Sequence, residues 1–266
     1  MTMDRLTRTV REQVALGRLL PLGGATDAAW ITESAAVRAL ERAAALVPGV
    51  RLGPVSLALA DPGGDGATDL PAVAPIGALP HVPVRIEAAF EASPDEPLPL
   101  AADRLRDALW DAAEAGVGIA VAAVDLRVTG LLDGERAAAA ADGEAGPEPD
   151  EALDPGPEAP GPGPGAAGGV AAVVRTVPGV AGLTGRLAGL GSGVRVQDTA
   201  APSRAAEGPE GPGPGASGRR VQVQIAVAAG HSPLAVARAV TAVVLAVAAQ
   251  DAPGPVTTAV VVTDAG

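Results

Sequence analysis

Residues 99–129, PLAADRLRDALWDAAEAGVGIAVAAVDLRVT, return in a second version at residues 233–263, PLAVARAVTAVVLAVAAQDAPGPVTTAVVVT. Both versions open with Pro-Leu-Ala and an arginine, Arg104 or Arg238, and both run through an alanine-rich helical length into a strand that ends in Val-Thr. The two align without a gap, and a Val-Pro-Gly-Val tetrapeptide precedes each one, at residues 47–50 and 177–180. Such self-similarity predicts one small α/β unit present twice in the chain.

The residues around each repeat indicate the order of elements in this unit. Strand candidates alternate apolar and charged residues, as in residues 84–91, which predicts a sheet with one dry face and one wet face. We therefore predict an α+β fold with two tandem α-β-β-α-β modules, each a small three-stranded sheet covered by helices on one face. The pattern leaves open whether the third strand pairs with the first or the second.

The predicted boundaries follow composition. A linker rich in proline, glycine and acidic residues leaves too little apolar surface to offset the entropy of ordering, so we predict that it is disordered. Two further Pro/Gly-rich stretches at equivalent places read as flexible loops. The predicted segments are an N-terminal amphipathic helix and connector (1–27), a first module (28–133, loop 61–82), the linker (134–169) and a second module (170–266, loop 198–220).

The N-terminal stretch 3–20 predicts a helix with a thin apolar stripe. Its basic residues permit two interpretations, a membrane- or partner-binding helix and an ordinary surface helix over a sheet. A second helix is predicted over residues 28–46, ended by Pro48 and Gly49. The basic residues of the first helix are Arg5, Arg8, Arg11 and Arg18.

The helix predicted over residues 234–249 is apolar almost all round, unlike its charged counterpart at 100–115. Such a helix is usually covered on more than one side. It either packs against the first module or forms a contact between molecules, and the alternative is that its outer side is solvated alanine. The predicted interaction surface consists of Arg238, Thr241, Ala242, Leu245 and Ala249.

Chemistry-bearing residues are scarce. The chain has no cysteine, and its two histidines, His81 and His231, have no acidic neighbour at metal-ligand spacing. We predict no catalytic residue, no cofactor, no metal site and no enzymatic activity. A net charge of −12 argues against a nucleic-acid partner. The longest apolar run is too short to span a bilayer, and no signal peptide is evident, so we predict no direct transmembrane segment.

Short motifs in the second module are similar to those of a known family. Residues 177–180, Leu183 and Gly185, the 221–227 strand, the Ser232-Pro233 helix start and the closing Val-x-Val resemble the alkaline shock protein family of bacterial envelope-stress proteins. The resemblance covers residues 168–264 best, and residues 34–133 resemble a degenerate second example. It implies a small α/β domain without enzymatic activity, self-association, and attachment to the inner membrane face through a membrane-embedded partner.

These observations together predict a cytoplasmic, non-catalytic scaffold of the envelope-stress type, peripheral at the inner membrane face. Its expected partners are further copies of itself and a membrane-embedded protein. The alternative is a small-molecule sensor with a ligand site between the two modules, because clefts between domains are preferred ligand sites.

Overall fold

The structure, a computed structural model, describes residues 17–62, 70–132, 165–187, 192–199 and 217–266. These residues form two sheets and the helices packed on them. The strands are β1 (Leu19–Leu22), β2 (Ala29–Thr32), β3 (Val50–Leu59), β4 (Val84–Ala92), β5 (Val121–Leu131), β6 (Val180–Leu183), β7 (Val194–Thr199), β8 (Gly218–Val227) and β9 (Val256–Ala265). The helices are α1 (Glu33–Ala45), α2 (Leu98–Asp111, continued by a π turn at Ala112–Val117), α3 (Ala166–Val174) and α4 (Pro233–Ala248).

The α+β prediction is confirmed, and both modules follow the predicted α-β-β-α-β order if β6 and β7 are counted as one broken strand. The predicted three-stranded sheet is present in the first module, whereas the second sheet has six strands. In the first module α1, β3, β4, α2 and β5 follow one another, with sheet order β3-β4-β5. The second module matches it: β8 pairs antiparallel with β6 and β7 and parallel with β9. In both sheets the third strand pairs with the second, in parallel, which the sequence pattern had left open.

The two modules differ in their first strand. In the first module β3 is continuous and carries a bulge between Leu52 and Val55 opposite β4. In the second module the strand is broken into β6 and β7, which occupy successive parts of the same edge of β8. The chain between Leu183 and Val194 therefore leaves the sheet close to where the first module bulges, and insertions are tolerated at such irregular positions.

The N-terminal segment corrects two helix predictions. Residues 19–22 form β1, an apolar strand that pairs with β2, so the helix predicted over residues 3–20 does not include Leu19 and Leu20; residues 1–16 lie outside the described part of the chain. Residues 29–32 are also a strand, and α1 begins only at Glu33, where the Thr32 hydroxyl accepts a hydrogen bond from the Ala35 N–H at 3.4 Å.

Strand β2 joins the sheet of the other module. It pairs in parallel with β9, with Trp30 opposite Val261 and Ile31 opposite Val262. The second sheet thus has the order β1-β2-β9-β8-β6, and its central strand β9 lies between the N-terminal segment and the second module. Helix α1 follows β2 directly and contacts both β3 and β9, so it lies between the two sheets. One continuous cluster of buried apolar residues spans both modules.

The segment predicted as the flexible loop 61–82 is ordered over its second half. Val73 and Ala78 are buried with Leu19, Trp30 and Val261 in a small cluster on the face of the second sheet that the helices leave open. The Trp30 indole N–H donates to the Leu79 carbonyl at 2.9 Å, and the Leu79 N–H donates to the Leu19 carbonyl at the same distance. Residues 70–82 thus form a loop, as predicted, but this loop packs against the second sheet, and residues 63–69 lie outside the described ranges.

Three other boundaries differ from the predictions. Helix α3 begins at Ala166, inside the segment predicted as linker, and residues 133–164 are not among those described. Strands β7 and β8 run into the predicted loop 198–220 from both sides, leaving residues 200–216 outside the described ranges. The alternation of residues 124–129 also predicts that Val128 faces inward on β5, in register with the buried Phe90, but 41% of its surface is exposed. Val128 is exposed because, among the described strands, only β4 pairs with β5 and its outer edge is left uncovered.

Candidate assembly surface

The predicted interaction surface lies on the outer side of α4. Ala242, Leu245 and Ala249 are exposed, Thr241 is half-buried, and Arg238 is exposed at the start of the helix. The opposite side of α4 packs against β8, β9 and α3. The helix also contacts β2 in the N-terminal segment. One part of its surface therefore packs within the chain, and another part is exposed.

The beginning of α4 is held against the first module. The Leu234 side chain packs over Gly118, which follows the π turn and has φ of 99°, and also over Gly23. The Gly23 N–H donates to the Gly118 carbonyl at 2.8 Å. Only glycine leaves room at position 118, because a Cβ there would lie 2.4 Å from the Leu234 Cβ. This junction fixes α4, the π turn and the N-terminal connector together.

An ion pair borders the same junction. The Arg238 guanidinium donates to both oxygens of Asp27, at 2.8 and 3.0 Å. These hydrogen bonds lower the pKa of Asp27 below its ordinary value, and burial of the carboxylate opposes the shift only in part. The same contact raises the pKa of Arg238. Arg238 is therefore already engaged within the chain, which leaves the exposed alanines and Leu245 as the accessible part of the predicted surface.

Of the four N-terminal arginines in the predicted partner helix, only Arg18 is described. Arg5, Arg8 and Arg11 lie outside the described residues. Arg18 directly precedes β1 and pairs with Glu33, 3.1 Å away, and its guanidinium donates to the Leu57 carbonyl of β3. Burial raises the pKa of Glu33, but the hydrogen bonds from Arg18 outweigh it and hold that pKa below its usual range. Arg18 thus lies over the outer edge of the first sheet at β3, with 48% of its side chain exposed.

The most informative surface emerges when the two sheet edges are compared. Residues of the first module from β4 onward correspond to residues 134 positions later, as Pro99 does to Pro233. The outer edge of β9 is covered by β2 at Val260–Val262. The corresponding segment of β5 is Leu126–Val128, and in the described part of the chain only β4 pairs with β5.

Apolar residues along this edge are exposed where their counterparts are covered. Val128 and Leu131 are 41% and 56% exposed, whereas Val262 and Ala265 of β9 are 0% and 4% exposed. Leu100 at the start of α2 is 54% exposed, while its counterpart Leu234 is packed on the inter-module junction. Sequence analysis missed this surface, although the repeat offset would have identified the equivalent residues once the position of β2 was known.

The outer face of the first sheet beside this edge carries both signs of charge. Arg85 pairs with Asp125 at 3.1 Å, and Arg51 pairs with Glu91 at 3.2 Å. A shallow groove of about 340 Å³ runs over β3, β4 and β5 on this face. It is lined by Pro54, Ser56, Glu87, Ala88, Ala89, Asp125, Leu126 and Arg127. These exposed ion pairs keep this face of the sheet hydrophilic, and each contributes little to stability.

His81 packs edge-on against Trp30, with ring centroids 5.1 Å apart. Both ring nitrogens are buried and neither has a hydrogen-bond partner. Burial lowers the pKa of His81, although the Ala29 backbone and the Asp27 carboxylate favour its charged form. His231 is exposed just before the start of α4 and does not pack with His81, so the structure does not bring the two histidines together in one site. His81 is best described as a neutral packing residue of the covered sheet face.

We expect mild acidification to lower the stability of the folded protein, because His81 is buried. The unfolded chain takes up a proton near the ordinary histidine pKa of 6.5, and the folded chain takes it up only at lower pH. The free energy of unfolding should therefore fall as pH drops from about 7 to about 5. His81→Gln should flatten that part of the profile and His231→Gln should not, as measured by urea unfolding at several pH values. An unchanged slope in His81→Gln would contradict the assignment.

The described residues contain no group of three or more His, Asp or Glu side chains able to hold a metal ion. None of the helices in the described ranges combines the length and apolarity needed to cross a bilayer. No family model matches the chain, and neither does any curated protein or any solved structure. The fold and this surface define a duplicated α+β protein in which the outer edge of β9 is covered by β2, whereas no described strand covers the equivalent edge of β5.

Proposed function

We propose that this protein is a non-catalytic scaffold that assembles through protein–protein contacts. The observation that carries the proposal is the open edge of β5, where Val128 and Leu131 are exposed although their counterparts on β9 are buried. A long strand with an unpaired edge and exposed apolar residues is a template for pairing with another chain. Concentrated apolar exposure of this kind marks interaction sites in soluble proteins.

The cellular setting of the proposal comes from the motif resemblance. Residues 177–180 and the 221–227 strand resemble the alkaline shock protein family, which implies an envelope-stress role in the cytoplasm, with attachment at the inner membrane face through a membrane-embedded partner. The confirmed α-β-β-α-β order of both modules is compatible with that resemblance. Partners of the scaffold are then further copies of the chain and a membrane-embedded protein.

The alternative, a sensor with a ligand site between the modules, has less support. The described junction is filled by one apolar cluster that includes Ile31 and Leu40 from the first half and Val262 from the second. A ligand site normally combines an apolar cavity with a few convergent polar groups. The groove on the first sheet lies on its outer face, away from the junction.

Sizing by light scattering over a wide concentration range tests the scaffold proposal. We expect the protein to self-associate as concentration rises, and we expect Leu131→Arg to weaken this association because it places a charge on the open edge. Leu245→Arg, on the exposed side of α4, is the matched comparison at the other predicted surface. A strictly monomeric protein at high concentration that also recovers no partner from cells and does not pellet with membranes would overturn the proposal.

A further inference from the structure

The edge of β5 is complementary to itself. If two copies of β5 run antiparallel about a twofold axis at Leu126, residue 125 faces residue 127 of the other copy, and 124 faces 128. Asp125 then lies opposite Arg127, Val124 opposite Val128, and Val121 opposite Leu131. Residues directly opposite each other in an antiparallel pair point to the same face, so charges meet on the wet face and apolar side chains meet on the helix face.

The neighbouring registers lack this complementarity. Opposed residues must point to the same face of the sheet, so the twofold axis can pass through a residue but not between two neighbouring residues. An axis at Asp125 places two aspartates opposite each other, and an axis at Arg127 places two arginines opposite each other. Like charges directly opposite are destabilising and unlike charges are stabilising. The axis at Leu126 is the register that pairs both charged residues of the strand favourably.

The second module shows that this edge of the fold accepts a strand. On β9, strand β2 covers Val260–Val262, and the corresponding residues of β5 are 126–128, centred beside the proposed axis. The β2 of a second copy is engaged on its own β9, whereas no strand within the described ranges pairs with the outer edge of its β5. A second copy therefore offers β5 rather than β2 to the edge. An isologous pair of this kind closes after two chains, because each β5 edge is then occupied by the other copy.

From these observations we propose that two copies of the chain pair through β5, antiparallel and centred on Leu126, to make one continuous six-stranded sheet. This inference rests on the proposed scaffold function and specifies its first contact. Asp125 keeps its contact with Arg85, because a carboxylate can accept hydrogen bonds from two guanidinium groups. Arg106 donates to the Val124 carbonyl over 3.4 Å and must release it, which is a small cost for a long hydrogen bond.

Reversed charges give the decisive experiment. Asp125→Arg places arginines opposite each other in the pair, and Arg127→Asp places aspartates opposite each other, so each variant alone is expected to lose the dimer. Mixed together, the two variants restore both opposite-charge contacts and should form a one-to-one heterodimer. Arg51→Glu removes an equally exposed ion pair on the same face of the sheet, at β3, and should dimerise like the original protein. Analytical ultracentrifugation of the full chain, up to about millimolar concentration, measures all four samples.

A cross-link fixes the register. The chain has no cysteine, so with a single introduced thiol any disulfide between two protein thiols must join two copies. Opposed residues have Cα atoms about 4.5–5.5 Å apart, within disulfide range, so Leu126→Cys should cross-link with oxidised glutathione. Val128→Cys, which faces Val124 of the other copy rather than its own equivalent, should cross-link far less.

The outcomes separate this inference from the broader function. Recovery of dimer in the mixed charge variants, together with selective cross-linking at position 126, supports the pairing. A protein that assembles while both single charge variants assemble equally well would overturn the β5 pairing and leave the scaffold function standing. An original protein that stays monomeric at millimolar concentration overturns the pairing, and the membrane and partner measurements then decide the scaffold function separately.

Discussion

Gly118→Ala is expected to lower the free energy of unfolding by about 3 kcal/mol. Gly118 has φ of 99°, where an L-residue is strained by roughly 1–2 kcal/mol, and its added Cβ would lie 2.4 Å from the Leu234 Cβ. Relieving that overlap requires α4 to move from the first module, and overpacking of this kind costs roughly 1–3 kcal/mol. Equilibrium unfolding in guanidinium chloride measures the loss.

Gly230→Ala is the matched control for this prediction. Gly230 also has a positive φ, 78°, but no atom lies within 4 Å of the place where its Cβ would be. It should therefore show only the backbone strain, about 1 kcal/mol. Equal losses in the two variants would show that Leu234 does not pack on Gly118 and that the junction between α4 and the first module is loose.

Cleavage of the chain between residues 133 and 164 is expected to leave the two halves bound to each other. Strand β2 supplies an edge of the second sheet, and α1 contacts both sheets from within a continuous apolar cluster. Separation would expose Val260, Val261 and Val262 of β9, all of which are fully buried. The hydrophobic cost of exposing such side chains is roughly 1.5–3 kcal/mol each.

A protease site placed in that stretch, followed by size-exclusion chromatography, measures the association. Uncut protein is the control, and cut protein should elute with it at the same volume and with the same far-UV circular dichroism. Two separately eluting, folded fragments would mean that each module is independent and that β2 does not belong to the second sheet in solution.

The repeat predicted most of the architecture, because its signal is carried by local pattern. Alternation in residues 84–91 and the Pro-Leu-Ala helix starts identified β4, α2 and α4 nearly in place. Residues 29–32 were predicted as helix because a four-residue stretch directly before a helix is too short to distinguish the 3.6-residue period of a helix from the two-residue period of a strand. What makes them a strand is β9, which lies more than two hundred residues away in the chain and leaves no trace in the local pattern.

The surface was harder to predict than the fold. The sequence indicated the exposed side of α4 correctly as alanine-rich, but it could not show that Arg238 is paired with Asp27. The open edge at Leu126–Val128 was missed because the repeat makes β5 and β9 look alike. Their difference arises from the β1–β2 hairpin, which pairs with β9 and, among the described strands, has no counterpart on β5. Residues 70–82 were likewise predicted as loop from their prolines and glycines, although their apolar residues cover the second sheet.

The central place of β9 constrains how this protein is made. Among the described strands it leaves the ribosome last, yet it holds β2 and β8 together. Trp30 and the residues near Val73 that cover it therefore lack their sheet until β9 has been synthesised, and until then the growing chain exposes this surface to chaperones or to aggregation. A product truncated before Val256 would be unable to close the larger sheet.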